Sequence, residues 1–233
     1  MNWDDNGFLL SKNKYSENSL IVDIFTKNHG KTSGIIFGGT SKKIKNYLQI
    51  GNKLFVNYVS KSDNKIGYFK AEICEVLSPV YFDQPNKLNC IYSAMNLIKL
   101  FTAESQSSTK IFNLICDFYL ILSQKDWLKE YIFWELSFLS NLGYNLNLKE
   151  IAIKEIIDNK IIYTAKSSND SRIIPNFLID KNDLNNNFDS LLERLKLVGD
   201  FMDKTILKPN NINFPISRNH FVQSLKKLNQ NPI

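Results

Sequence analysis

The sequence predicts an α+β protein: a small five-stranded β-barrel followed by an α-helical domain that carries a short β-hairpin. Three observations predict it. Short extended runs separated by polar or glycine-containing turns occupy the first 80 residues. Beyond Pro79 and Pro85 the apolar spacing lengthens to that of helices, and residues 156–175 revert to an extended pattern. The domains are therefore placed at 1–80 and 81–233, and a 43% apolar share lets both bury a core.

Gly7-Phe8-Leu9-Leu10 opens the first strand. Ser19–Thr26, rich in β-branched residues, is the second, and Asn28-His29-Gly30 turns the chain into a third, Ser33–Phe37. In Asn52–Lys61 the alternation of Leu54, Val56 and Tyr58 with Lys53, Phe55 and Asn57 marks a half-buried fourth strand. A polar turn at Ser62-Asp63-Asn64-Lys65 leads to the fifth, Ile66–Leu77. The commonest five-stranded barrel is the OB-fold; pattern alone leaves an SH3-like barrel open. In the second part Ile91, Met95, Ile98 and Phe101 share one helical face. Ser107 or Ser108 can cap a helix whose face is Ile111, Leu114, Ile115, Phe118 and Leu122. Asp126 can cap the next, which runs to Gly143, a residue suited to a left-handed helix end. The hairpin turns at Ser167-Ser168-Asn169-Asp170, and helices follow over Phe188–Ile206 and Ile216–Leu228.

Composition removes several classes. Met1-Asn2-Trp3-Asp4-Asp5 is acidic and polar and is not read as a secretory leader. The most apolar stretch, Ile111–Leu122, falls short of the roughly 20 residues that cross a bilayer. Cys74, Cys90 and Cys116 form no CxxC pair, which suits a reducing cytoplasm. His29 and His220 have no neighbours at metal-ligand spacing, and His29 reads as turn chemistry. Gly38-Gly39-Thr40-Ser41-Lys42-Lys43 lacks the order of a nucleotide-binding P-loop.

What remains is charge. The chain carries +6, and 11 lysines against 7 carboxylates put +4 of it in the first 80 residues. Lys42, Lys43 and Lys45 project from one glycine-flanked loop, where a barrel that binds nucleic acid presents its groove. Phe8, Phe25, Phe37, Phe55, Tyr58, Tyr68 and Phe69 are interleaved; most must fill the barrel, and one or two on its outer face could stack bases. Glu135 lies on or beside an apolar helix face and is expected to hold a structural hydrogen bond to a neighbouring loop.

Several pieces carry a resemblance when taken in order. At the front they are Gly7, Glu17, Ser19, Thr26 and Gly30, then Gly38-Gly39 with Ser41-Lys42-Lys43, then Leu48-Gln49 and Gly51. Further on come Phe133-Trp134-Glu135-Leu136, Leu139, Leu142-Gly143-Tyr144 and Leu148. Phe214-Pro215-Ile216-Ser217-Arg218 with Phe221 and Leu225 closes the series. Nearly end to end, the chain resembles the RecO family of bacterial DNA-repair proteins. The resemblance implies an OB-fold joined to a helical domain and a recombination mediator rather than an enzyme. Such proteins bind single- and double-stranded DNA, anneal complementary strands, and act with RecR, and in many bacteria RecF, to load RecA onto strands coated by single-strand-binding protein. Many members carry a four-cysteine zinc site just after the Leu-Gly-Tyr turn. Here that region reads Leu148-Lys149-Glu150-Ile151-Ala152-Ile153, no Cys follows Cys116, and the hairpin stands in its place. No metal or cofactor is expected, and the resemblance places the protein in the cytoplasm, at the nucleoid.

Lys42, Lys43 and Lys45 are the leading candidates for DNA phosphates, with Lys12, Lys14, Lys31 and Arg218 behind them. In the family the acidic, apolar tail of single-strand-binding protein docks on the helical domain. Lys110, Lys125 and Lys129, near the starts of two helices, are the candidates to rim its pocket. Two rivals remain: a pure protein scaffold, and a metal-dependent nuclease or transferase using Asp4, Asp5 and Glu135.

Overall fold

The computed structural model describes residues 1–62, 65–144, 152–157, 160–167, 170–174 and 187–230. Strands β1 (Asn2–Lys14), β2 (Ser19–Thr26), β3 (Gly30–Phe37), β4 (Lys53–Val59) and β5 (Gly67–Glu75) close into a barrel in the order β1-β2-β3-β5-β4. Every pairing is antiparallel except β3 with β5, where Gly34 faces Gly67 and Ile35 faces Tyr68. A parallel pair needs a crossover, and helix α1 (Lys42–Tyr47) with β4 provides it. Closure in this order is the OB-like arrangement. At Gly67 a Cβ would lie 2.4 Å from the Tyr58 ring, so only glycine lets β5 approach here.

β1 starts at Asn2, five residues before the run that the apolar pattern reveals. Its first half pairs with β4, Trp3 opposite Tyr58 and Asp5 opposite Val56. Backbone pairing does not require apolar side chains, so this half was silent in the pattern. An irregularity between Leu9 and Ser11 accompanies its passage from one neighbour to the other. Leu9, Val22, Ile24, Ile36, Leu54, Val56, Tyr58 and Phe69 fill the interior, and Leu48 plugs one end.

After a 3-10 turn at Ser78–Tyr81 come α2 (Pro85–Phe101), α3 (Thr109–Leu122) and α4 (Trp127–Asn141). Ser108 caps α3 by accepting from the Ile111 N–H. Asp126 occupies the cap position of α4, but its side chain makes no capping bond. Gly143 takes φ +91°. The Tyr144 N–H then bonds the Leu139 carbonyl and the Gly143 N–H that of Ser140, the paired bonds of a Schellman end. The Leu-Gly-Tyr series is thus a helix terminator.

The expected two-stranded hairpin is a three-stranded antiparallel sheet: β6 (Ala152–Ile157), β7 (Lys160–Ser167) and β8 (Asp170–Ile174). Ala, Lys and Glu, which favour helix, disguised β6. The turns expected around Asp63-Asn64 and Ser168-Asn169, and the stretch from Leu148 to Ile151, lie outside the described residues. Helix α5 (Phe188–Met202) is capped by Asn187 and passes into a wider turn at Asp203–Leu207, and α6 (Ile216–Gln230) ends the described chain. Phe118, Tyr131, Trp134, Phe138 and Phe221 build the centre of the helical part. The same core takes in Phe8, Leu10 and Phe25 from the outer face of β1 and β2. Burying each of these side chains contributes roughly 1.5–3 kcal/mol, so this face of the barrel is committed to the helices.

Candidate nucleic-acid interface

The lysine cluster sits on helix α1, not on a loop. Ser41 caps it, accepting from the Ile44 N–H, and the Lys45 N–H bonds the Ser41 carbonyl at 2.9 Å. Six residues are too few for a helical period to show in the sequence, which hid the helix. It presents Ile44 toward the barrel end and leaves Lys42, Lys43 and Lys45 exposed. None of the three ammonium groups makes an ion pair or hydrogen bond among the described residues. Lys14, at the end of β1, is also exposed.

Lys12 has a different role. Its Nζ donates to the Leu48 carbonyl at 2.6 Å and to Gln49 Oε1 at 3.2 Å, closing the C-terminal end of α1. Burial, and then the charge of Lys45, pull its pKa below the ordinary lysine value. Lys12, Leu20, Gly39, Thr40, Lys45 and Leu48 line a hollow of 260 Å³ beside the helix.

Two other expected DNA contacts are corrected by the geometry. Lys31 is 13% exposed, and its Nζ donates to the carbonyls of Lys99 at 2.8 Å and Thr102 at 2.6 Å, with Glu104 at 3.8 Å. It fastens the barrel to the C-terminal end of α2, where carbonyls lack helical partners. Arg218 is 1% exposed. Its Nη2 donates to Glu135 Oε2 at 2.8 Å and to the Leu195 carbonyl at 3.1 Å inside the helical core. Glu135 therefore does hold a structural bond, though to helix α6 and not to a loop. Burial pushes its carboxyl pKa up, and Arg218 opposes that.

Beside Lys31 the seam holds a second locked lysine. Lys99 Nζ lies 2.7 Å from Asp23 Oδ2 and donates to Ser11 Oγ at 2.9 Å, while Ser33 donates to Asp23 at 2.6 Å. Burial raises the Asp23 carboxyl; the bonds from Lys99, Ser11 and Ser33 outweigh it and hold the pKa below the usual value.

The carboxylates of the nuclease alternative do not converge. Asp4 and Asp5 are successive strand residues and point to opposite faces, Asp4 exposed and Asp5 buried. Asp5 organises the β2–β3 turn, accepting from the Asn28 N–H at 2.6 Å and lying 3.3 Å from His29 Nδ1. The His29 ring stacks on Trp3 at 4.0 Å. Glu135 is enclosed in the helical core. Among the described residues no three His, Cys, Asp or Glu side chains stand together as metal ligands, and no helix is long and apolar enough to cross a membrane.

Lys125 and Lys129 flank a cavity of 440 Å³ between α2, α4, α5 and α6. Trp127, Leu128, Phe188, Leu191 and Leu225 give it apolar walls. Lys87, at the start of α2, joins the rim, as do Asp83 and Asp126. Lys87 escaped sequence reasoning because nothing in the order of residues joins it to a loop 38 positions on. Lys110 does not line this cavity; it sits at the opposite end of α3 from Lys125.

Comparison with known proteins agrees with this architecture. Residues 1–77 match the family model described as Recombination protein O N terminal. The DNA repair protein RecO of Wolbachia sp. subsp. Drosophila simulans is 27% identical over 94% of this chain and 98% of its own length. That of Rickettsia rickettsii is 30% identical over 72% of this chain and 70% of its own. That of Rhodospirillum centenum is 21% identical over 97% and 96%.

Proposed function

This chain belongs to the RecO family of DNA repair proteins, and from that premise we propose that it is a recombination mediator that acts by binding, without catalysis. In this reading the α1 end of the barrel holds single- and double-stranded DNA by its phosphates and brings complementary strands together. With RecR, and with RecF where present, it helps load RecA onto strands coated by single-strand-binding protein, in the cytoplasm at the nucleoid. One observation carries the reading: Lys42, Lys43 and Lys45 stand exposed on a single short helix with no carboxylate bound to them among the described residues. Two DNA strands repel each other. A cluster of unneutralised cations lowers that repulsion and releases counterions from both strands.

The cavity beside α4 supports a second contact. Apolar walls under Lys87, Lys125 and Lys129 suit an acidic segment that ends in apolar side chains, the chemistry of the single-strand-binding protein tail. Lys125→Ala/Lys129→Ala should weaken binding of a peptide with that composition and leave DNA affinity unchanged.

The test is annealing of complementary oligonucleotides coated with the cognate single-strand-binding protein, in Mg²⁺. The mediator reading expects faster annealing and intact strands. Absence of salt-sensitive DNA binding would favour a scaffold, and cleaved strands would favour a nuclease.

A further inference from the structure

Of the seven aromatic residues interleaved with the barrel lysines, the fold commits most to packing. Phe8 and Phe25 are buried against the helices, and Tyr58 and Phe69 fill the interior. Phe55 faces outward on β4, but its cross-strand neighbour is Glu72, whose charge repels phosphate. Two remain. Phe37, the last residue of β3, is 63% exposed, and the half-buried Tyr68 on β5 lies with its ring centroid 6.0 Å away at 51°. The register puts them on the same side of the sheet: Ile35 pairs with Tyr68, and Phe37 is two residues beyond Ile35. Ile66, 49% exposed, adjoins Tyr68 and extends the apolar surface.

Cations flank this surface. Lys70, exposed, lies on the same face of β5 two residues from Tyr68, a separation of about 7 Å. Lys61 and Lys65, both exposed, lie two residues beyond Val59, the cross-strand partner of Tyr68, and three residues before Tyr68 itself. The Gly38–Ser41 turn carries the chain from Phe37 into α1, so Lys42 begins at most about 18 Å from Phe37. Of the carboxylates around this surface, Asp23 is bound by Lys99; Glu17, two residues before the cross-strand partner of Phe37, and Glu72, two residues beyond Lys70 on the same face of β5, are exposed and delimit the cationic surface on those sides. An exposed ring beside a half-buried one, flanked by lysines with no ion pair among the described residues, matches a ligand with flat apolar faces strung on an anionic backbone.

We infer that Phe37 and Tyr68 form a stacking platform for unpaired nucleic-acid bases, so that the barrel distinguishes single strands from duplex. This rests on the DNA-binding reading above and adds a selectivity to it. The α1 lysines meet phosphates and so hold either form. The rings reach only bases that are out of a duplex stack, because paired bases hide their faces from a side chain.

The experiment measures the affinity of the full chain for an oligothymidylate and for a duplex of equal length, over a range of salt. Phe37→Ala should weaken single-strand binding about 5- to 100-fold, the worth of one stacked base. Its duplex affinity and its salt slope should match wild type, and Phe37→Trp should restore single-strand affinity. Because Phe37 is mostly exposed, both variants should fold, which circular dichroism checks. Unchanged single-strand affinity in Phe37→Ala would assign the platform to a protein partner and overturn the inference while leaving the DNA-binding reading intact. Equal loss on both probes would overturn it too. Wild-type protein that binds neither probe would sink the underlying reading as well.

Discussion

Helix α1 and the barrel–helix seam use the same side chain in opposite ways. On α1, Lys42, Lys43 and Lys45 are exposed, and their ammonium groups meet no carboxylate among the described residues. At the seam, Lys31 is saturated by the Lys99 and Thr102 carbonyls, and Lys99 is bound to Asp23. Arg218, deeper still, is clamped to Glu135. A lysine count therefore overstates the electrostatic footprint of this barrel, because cations that satisfy buried acceptors hold the fold together and offer little to a phosphate. The comparison makes a sharp division: changing seam cations should cost stability, and changing α1 cations should cost DNA affinity.

The largest expected effect is at Arg218. Arg218→Ala leaves Glu135 buried without its partner and should cost about 3–5 kcal/mol in denaturant unfolding. Glu135→Gln/Arg218→Met should recover much of that loss, because it removes both charges together. Next is Lys42→Ala/Lys43→Ala/Lys45→Ala, expected to weaken DNA binding about 10- to 100-fold near physiological salt while shifting stability by no more than about 0.5 kcal/mol. A stability loss comparable to that of Arg218→Ala would erase the division. Lys31→Ala should then cost about 1–3 kcal/mol, since it removes charged hydrogen bonds from carbonyls at a helix end.

The smallest effect is a pH dependence at Asp23. Its carboxyl pKa is lower in the folded chain than in the unfolded one. Its contribution is therefore fully present above the ordinary carboxylate range, near pH 4, and is lost as pH falls through the depressed folded value. Thermal unfolding should show an acid limb that Asp23→Asn makes shallower. An unaltered limb would mean that the seam network does not couple folding to this proton.

What the sequence disclosed follows the range of the interactions. The alternation of Leu54, Val56 and Tyr58 is a two-residue pattern that survives translation into structure, as does the helix end at Gly143. The lysine cluster was visible, though its helix was not. The fate of Lys31 was hidden because it depends on carbonyls 68 and 71 residues away, and that of Arg218 because its carboxylate is 83 residues away. Both residues look like candidate phosphate ligands until the fold supplies their partners. The helical cavity was half legible: Lys125 and Lys129 share one local segment, while Lys87 and the walls from α5 and α6 arrive through tertiary structure.

The most direct test of the central claim is the slope of log affinity for single-stranded DNA against log salt concentration. It should be measured for wild type, the α1 triple variant and Lys31→Ala under folding conditions. The triple variant should lose up to about 0.7 of slope per lysine, and Lys31→Ala should run parallel to wild type. If Lys31→Ala flattens the line as much as the triple variant does, or if the triple variant leaves it unchanged, the assignment of DNA binding to the α1 cations is wrong.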